Sequence, residues 1–302
     1  MAAARGRRHT WRRSLPWLPR RALVVWNGPL SQEVIADMGF SPQPNEWQCG
    51  PYALKYALLA LAIPCDETAL TRESGATRQG TDERDLNRAA RRHGCVLRVE
   101  RSTTRDSARA ALRGHLTRRT PVLLCVDQWS HWIVAVGSDA DAAVVLDSRQ
   151  AAVIQIVPWP KLMGRVAYRG ISGAALYDLQ PLVPMSVPPA RAAFTRARAD
   201  FLLRPANRAL RRGWEQYVRA LLPLARPKSA QTEWTLPLAN VVREGTPRVL
   251  GATTGRQRDL LRERLAHAAF VADAYDFEIG LDQTEHALEV LRRLGEEVVL
   301  AA

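Results

Sequence analysis

A thiol is a useful nucleophile only as thiolate, and its pKa falls at a helix N-terminus and beside an imidazole. Of the four cysteines, Cys49, Cys65, Cys95 and Cys125, the one that opens an apolar, helix-like run is Cys49, in Cys49-Gly50-Pro51. Gly50 lets the backbone come close to a substrate, and Pro51 suits a first helical turn, where no amide proton is needed. A tetrahedral intermediate also needs preorganised donors for its oxyanion. The Cys49 amide can supply one, and the Gln43 side chain, six residues upstream, a second. The base must arrive from elsewhere in the fold. His9 lies in an arginine-rich arm, His93 and His115 in polar helical contexts, and His267 and His286 far downstream. His131 alone opens an apolar strand, Ser130-His131-Trp132-Ile133-Val134. A catalytic histidine needs an acceptor on its second nitrogen. Asp147 ends the next strand and can lie beside the start of its antiparallel neighbour; Asp127, on a loop, is the competing carboxylate.

Each residue also has a structural explanation. Cys65, Cys95 and Cys125 read as small buried hydrophobes. His131 can be a satisfied core histidine, Asp147 a turn residue and Gln43 an ordinary loop amide. Trp47, Trp129 and Trp132 flank the site and suit either a cleft wall or the core. Gly251 to Gly255 lacks the lysine and preceding strand of a phosphate cradle and reads as a turn.

The elements that must carry these residues follow from periodicity. Cys49 to Ile63 is apolar nearly all round, as in a buried helix. A second helix runs from an N-cap at Thr81 to Gly94, and a third covers Ser107 to Leu116. Strand candidates then follow at meander spacing: Pro121 to Val126, His131 to Val136, Ala143 to Leu146, Ala151 to Val157 and Ala174 to Leu179. Helices first and an antiparallel sheet second means α+β. Four prolines between Pro181 and Pro189 mark a linker. Beyond it, helices are expected over Ala190 to Leu203, Asn207 to Leu222, Arg256 to Ala274 and Gln283 to Leu294, with a weaker, mixed segment after the second. The resulting division is a basic arm and lead-in at 1–34, a catalytic domain at 35–182 and a mainly helical accessory region at 183–302.

Together, Gln43…Cys49-Gly50, His131-Trp132-Ile133-Val134 and Leu146-Asp147-Ser148 resemble the C39 family of papain-like cysteine peptidases. Gly80-Thr81-Asp82-Glu83-Arg84-Asp85-Leu86 and the closing strand Ser172 to Tyr177 are similar to that family as well. The resemblance covers about half of the chain. It implies a papain-like fold with Cys49 as nucleophile, His131 as base, Asp147 as orienting acid and Gln43 as oxyanion donor. The best-known members are leader-processing domains of peptide-exporting ABC transporters that cut after double glycine. This sequence has no run approaching the roughly 18 apolar residues of a membrane span and no GxxxxGK[ST] loop. It therefore reads as a stand-alone relative, to which double-glycine specificity does not carry over.

The formal net charge of +13 is unevenly placed. Seven arginines fall in the first 21 residues, and residues 191–228 hold ten Lys or Arg against Asp200 and Glu215. The rest of the chain sums to −2, so the charge belongs to the flanks. Arg12-Arg13 and Arg20-Arg21 faintly resemble targeting signals, but only Ala22 to Trp26 is apolar, short of a secretory core of about 7–15 residues. No CxxC pair suggests zinc, and free thiols suggest a reducing, cytoplasmic setting. The reading is a thiol hydrolase acting on a peptide or isopeptide bond of a peptide or protein substrate, with no metal or cofactor. Alternatives are a transglutaminase-like acyl transferase and a non-catalytic adaptor on a peptidase fold. The basic accessory helices can recruit an acidic partner; no nucleic-acid-binding signature accompanies them.

Overall fold

The structure is a computed structural model that describes residues 39–299 other than 172, 227–233 and 252. The arginine-rich arm and His9 lie outside the described residues. Among the described residues no helix is long and apolar enough to cross a membrane.

The architecture is α+β. The first helix, α1 (Cys49–Ala60), is buried at all twelve positions, as its uniform apolarity requires. Helices α2 (Glu67–Glu73) and α3 (Glu83–Arg92) follow, capped by Asp66 and Asp82, whose side chains accept from the amides of Ala69 and Asp85. The cap of α3 is thus Asp82, one residue beyond the expected Thr81. Short strands β1 (Cys95–Leu97) and β2 (Glu100–Ser102) precede α4 (Arg105–Thr117). The meander is then β3 (Val122–Val126), β4 (His131–Ser138), β5 (Ala142–Leu146) and β6 (Ile154–Pro158), followed by α5 (Trp159–Val166), β7 (Ala167–Arg169) and β8 (Ala175–Pro184). All pairs are antiparallel, in the order β1-β8-β3-β4-β5-β6, with β2 and β7 also on β8.

Alternation along β4 assigns the two faces. Trp132, Val134 and Val136 join the core that contains α1, while Ile133 and Ala135 join the core under α4 and α5. Strand β8 continues through Pro181 and Pro184, so the chain leaves the sheet later than its prolines imply. Pro181 pairs with Val122 at the start of β3 and sits one residue past the end of β1, where Leu97 faces Leu182. A residue without an N–H thus falls where the ladder changes partners.

The C-terminal region comprises α6 (Arg196–Leu203), α7 (Arg208–Arg212), α8 (Trp214–Leu221), β9 (Thr235–Pro237), α9 (Leu238–Leu250), α10 (Gly255–Ala274), β10 (Glu278–Gly280) and α11 (Thr284–Val299). The helix expected from Ala190 starts only at Arg196, because residues 190–195 form an extended strap. The amides of Ala192 and Ala193 bond the carbonyls of Ala60 and Ala274, each at 2.8 Å. At the bulge between β4 and β5, a Cβ on Gly137 would lie 1.9 Å from the Phe194 carbonyl, so glycine permits the strap to lie against the sheet. One apolar core runs from α1 and β4 into α6, α8, α9 and α10.

The arginines of the basic helices divide between exposed and internal positions. Arg198 pairs with Asp273 at 2.8 Å and Arg219 with Glu215 at 2.5 Å. Arg211 is buried and donates to the carbonyls of Leu202 and Arg204. Of the arginines in and beside these helices, Arg196, Arg204, Arg208 and Arg219 are exposed and Arg191, Arg198 and Arg212 half-buried. Part of that charge is used within the chain, where Arg198 and Arg211 fasten helix ends and carbonyls.

Candidate active site

Cys49 occupies the first position of α1, and its side chain lines an open cleft of about 330 Å³ with Glu46, Trp47, Arg78, Gln79, Gly80 and Ser130. His131 is the first residue of β4, and Asp147 directly follows β5. Strand pairing brings these ends together: His131 Nε2 lies 2.7 Å from Asp147 Oδ1, and both side chains are 1% exposed. The Cys49 thiol is near enough to the imidazole that each group shifts the other's pKa. His131 Nδ1 is buried and makes no hydrogen bond. Catalytic hydrogen bonds are often long in unliganded sites.

The electrostatics shift both groups toward their charged forms. Burial acts to raise the Cys49 thiol, but the nearby His131, the Trp132 backbone and the charge of Arg149 leave its pKa lowered. Burial acts to lower His131, but its bond to Asp147 and the neighbouring Cys49 thiol leave it raised. Asp147, which burial would raise, is held below the usual carboxylate range by His131, the Arg149 amide and Arg165. Burial instead pushes Cys95 and Cys125 up to about 12, and Cys65 higher still. Among four free cysteines, Cys49 alone is shifted toward thiolate.

Gln43 has a different environment from the one expected. Its Nε2 donates to the carbonyls of Asn45 (2.7 Å) and Glu46 (3.0 Å), and its Oε1 accepts from Ser148 Oγ at 2.5 Å. The Gln43 amide also bonds the Ser148 carbonyl at 3.0 Å. The residue stitches the lead-in to α1 onto the segment that carries Asp147. Gly50 also packs closely within the protein, since a Cβ there would come within 3.1 Å of Thr81 Cβ.

The tryptophans divide. Trp47 lines the cleft, Trp132 is core and donates to the Thr81 carbonyl at 3.0 Å, and Trp129 stacks on Tyr168. Asp127 pairs with Arg165 at 2.8 Å. His93 and His115 pair with Glu73 and Glu100. Three contributors to the neighbourhood carried no sequence signal: Arg165 behind Asp147, Arg149 beside the dyad, and Arg78 with Gln79 in the wall of the cleft. Among the described residues no group of three or more His, Cys, Asp or Glu is gathered to hold a metal ion.

No family model and no curated protein matches the chain. Among solved structures it is similar to a double glycine motif protease from an AMS/PCAT transporter in complex with the leader peptide, at 18% identity and TM-score 0.35, over 48% of this chain and 93% of that one. It is similar to the peptidase domain of Streptococcus ComA, a bi-functional ABC transporter involved in a quorum sensing pathway, at 16% identity and TM-score 0.37, over 49% and 98%. The peptidase domain of Streptococcus mutans ComA is similar at 16% identity and TM-score 0.29, over 46% and 96%.

Proposed function

We propose that the chain is a cysteine peptidase that cuts a peptide or isopeptide bond through an acyl-enzyme. The observation that carries this reading is the convergence of Cys49, His131 and a fully buried Asp147, with the thiol lowered and the imidazole raised. Asp147 occupies Nε2, which leaves Nδ1 for the thiol. The Cys49 thiolate attacks the scissile carbonyl, and His131 Nδ1 donates its proton to the leaving amine. Water, deprotonated by the same nitrogen, then releases the acyl group and restores the thiol. The Cys49 amide, at the start of α1, supports the oxyanion. Gln43 can add a second donor by releasing one of the two carbonyls that hold its Nε2.

The test is cleavage of a peptide library followed by mass spectrometry, with wild type and Cys49→Ala side by side. The reading expects specific wild-type cleavage that the variant loses. Cleavage by Cys49→Ala within about tenfold of wild type would remove Cys49 from the mechanism, because members of such a unit cost nearly the whole rate when lost.

A further inference from the structure

The turn between β3 and β4 is strained in an unusual way. Three successive non-glycine residues, Asp127, Gln128 and Trp129, hold φ at 54°, 59° and 61°. L-residues rarely adopt this region, and strain of about 1–3 kcal/mol per residue persists only where the surroundings over-determine it. Two residues further on, the turn delivers His131.

What holds the turn is the segment 165–169. The Asp127 amide bonds the Arg165 carbonyl at 2.8 Å. Gln128 accepts from the Arg169 amide at 3.1 Å and donates to the Ala167 carbonyl at 3.3 Å. Trp129 stacks on Tyr168 with ring centroids 3.9 Å apart. The Asp127 carboxylate takes Arg165 Nε at 3.1 Å and Nη2 at 2.8 Å. The same guanidinium reaches Asp147 Oδ2, with Nη1 at 3.5 Å and Nη2 at 3.4 Å. Oδ1 of that carboxylate is the atom that meets His131 Nε2.

We propose that Arg165 is a positioning residue for the catalytic pair, its planar fork fastening the strained turn that carries His131 to the carboxylate that orients His131. This rests on the peptidase reading of Cys49, His131 and Asp147. Asp127, the carboxylate that competed with Asp147 in the sequence, serves as the second anchor of the fork. A lysine keeps the charge but cannot present the paired donors.

The test is the pH dependence of Cys49 alkylation by iodoacetamide, followed by peptide mapping on the full chain. It needs no substrate. The charged and titratable groups facing the pair are Cys49 and Tyr56 on α1, Cys125 on β3, Asp127 in the turn, Arg149 after β5 and Arg165 on α5. Wild-type alkylation should persist below the ordinary thiol range. If Arg165 positions the pair, Arg165→Lys loosens the Asp147–His131 contact and raises the Cys49 profile, although the charge is unchanged. Asp127→Asn should also raise it, whereas the loss of a negative charge alone would lower it. A rise of about half a unit, or threefold slower alkylation on the acid limb, is expected in each. Folded Arg165→Lys with the wild-type profile, or a lowered profile in Asp127→Asn, overturns the proposal; either variant suffices if the other does not fold. An ordinary thiol profile in the wild type would instead overturn the peptidase reading beneath it.

Discussion

Lys55 offers a direct perturbation of how the two halves of the molecule are joined. It lies on α1, six residues after Cys49, with its side chain 1% exposed. Its ammonium meets Glu67 on α2 at 2.6 Å and Glu215 on α8 at 3.4 Å; Glu215 is 2% exposed and also takes Arg219 at 2.5 Å. Burial acts to lower the Lys55 pKa, but the two carboxylates leave it raised, so the ammonium keeps its charge. At an effective dielectric of about 20, a contact of 3.4 Å corresponds to about 5 kcal/mol of attraction, most of it offset by desolvation. Removing one partner exposes the penalty, because the other charge stays buried; such losses cost about 3–5 kcal/mol. Arg219 still pairs with Glu215, and Glu67 is 28% exposed and can turn to water. Lys55→Met should therefore fall near the lower end, at about 3 kcal/mol. The double variant Lys55→Met/Glu215→Leu should be more stable than Lys55→Met alone, with a coupling of about 2 kcal/mol. Urea unfolding of the four proteins of this cycle measures it, with tryptophan fluorescence and circular dichroism expected to report one shared transition. A Lys55→Met cost below about 1 kcal/mol, or additivity within about 0.5 kcal/mol, would refute the reasoning.

Burial and the nearby Arg264 push His267 down to about 4, beside Tyr217 Oη at 3.1 Å and Glu263 at 3.8 Å. Its folded pKa lies below the unfolded value of about 6.5, so the unfolded chain takes up the proton first and stability falls as pH drops from about 6.5 to about 4, by about 3 kcal/mol in all. In His267→Gln that part of the acid sensitivity of the unfolding free energy should disappear; equal sensitivity in both proteins would contradict it. Gln43→Ala should lower kcat by about 10²-fold if Gln43 donates to the oxyanion. If its role is confined to the stitch with Ser148, the melting temperature should move and kcat should change little.

The parts of the site that lie at the ends of regular elements were legible in the sequence. Cys49 opens a helix whose uniform apolarity is visible, and His131 and Asp147 bound two adjacent apolar strands that pair antiparallel. The parts made by long-range geometry were not. Asp127-Gln128-Trp129 contains no glycine to announce a positive φ, and its conformation is imposed by residues about 40 positions away. Arg165 lies on a short helix opened by Trp159 and Pro160, and nothing local marks it as the partner of two aspartates. The strap at 190–195 has helix-forming composition, but its amides go to Ala60 and Ala274, and tertiary contact overrides local propensity. Helix α9 was hidden for the opposite reason, since Gly245 and Pro247 interrupt its pattern while Leu238, Val242 and Leu250 remain buried.

The measurement closest to the central claim is labelling of the intact protein near pH 6.5 with a peptide carrying a thiol-reactive electrophile, followed by mapping of every modified cysteine. The arrangement of Cys49, His131 and Asp147 predicts modification at Cys49, suppressed in His131→Ala. Cys65, Cys95 and Cys125, whose thiols burial raises, should stay unmodified. Modification at one of those three with Cys49 untouched, or Cys49 labelling that is indifferent to the loss of His131, would contradict the account.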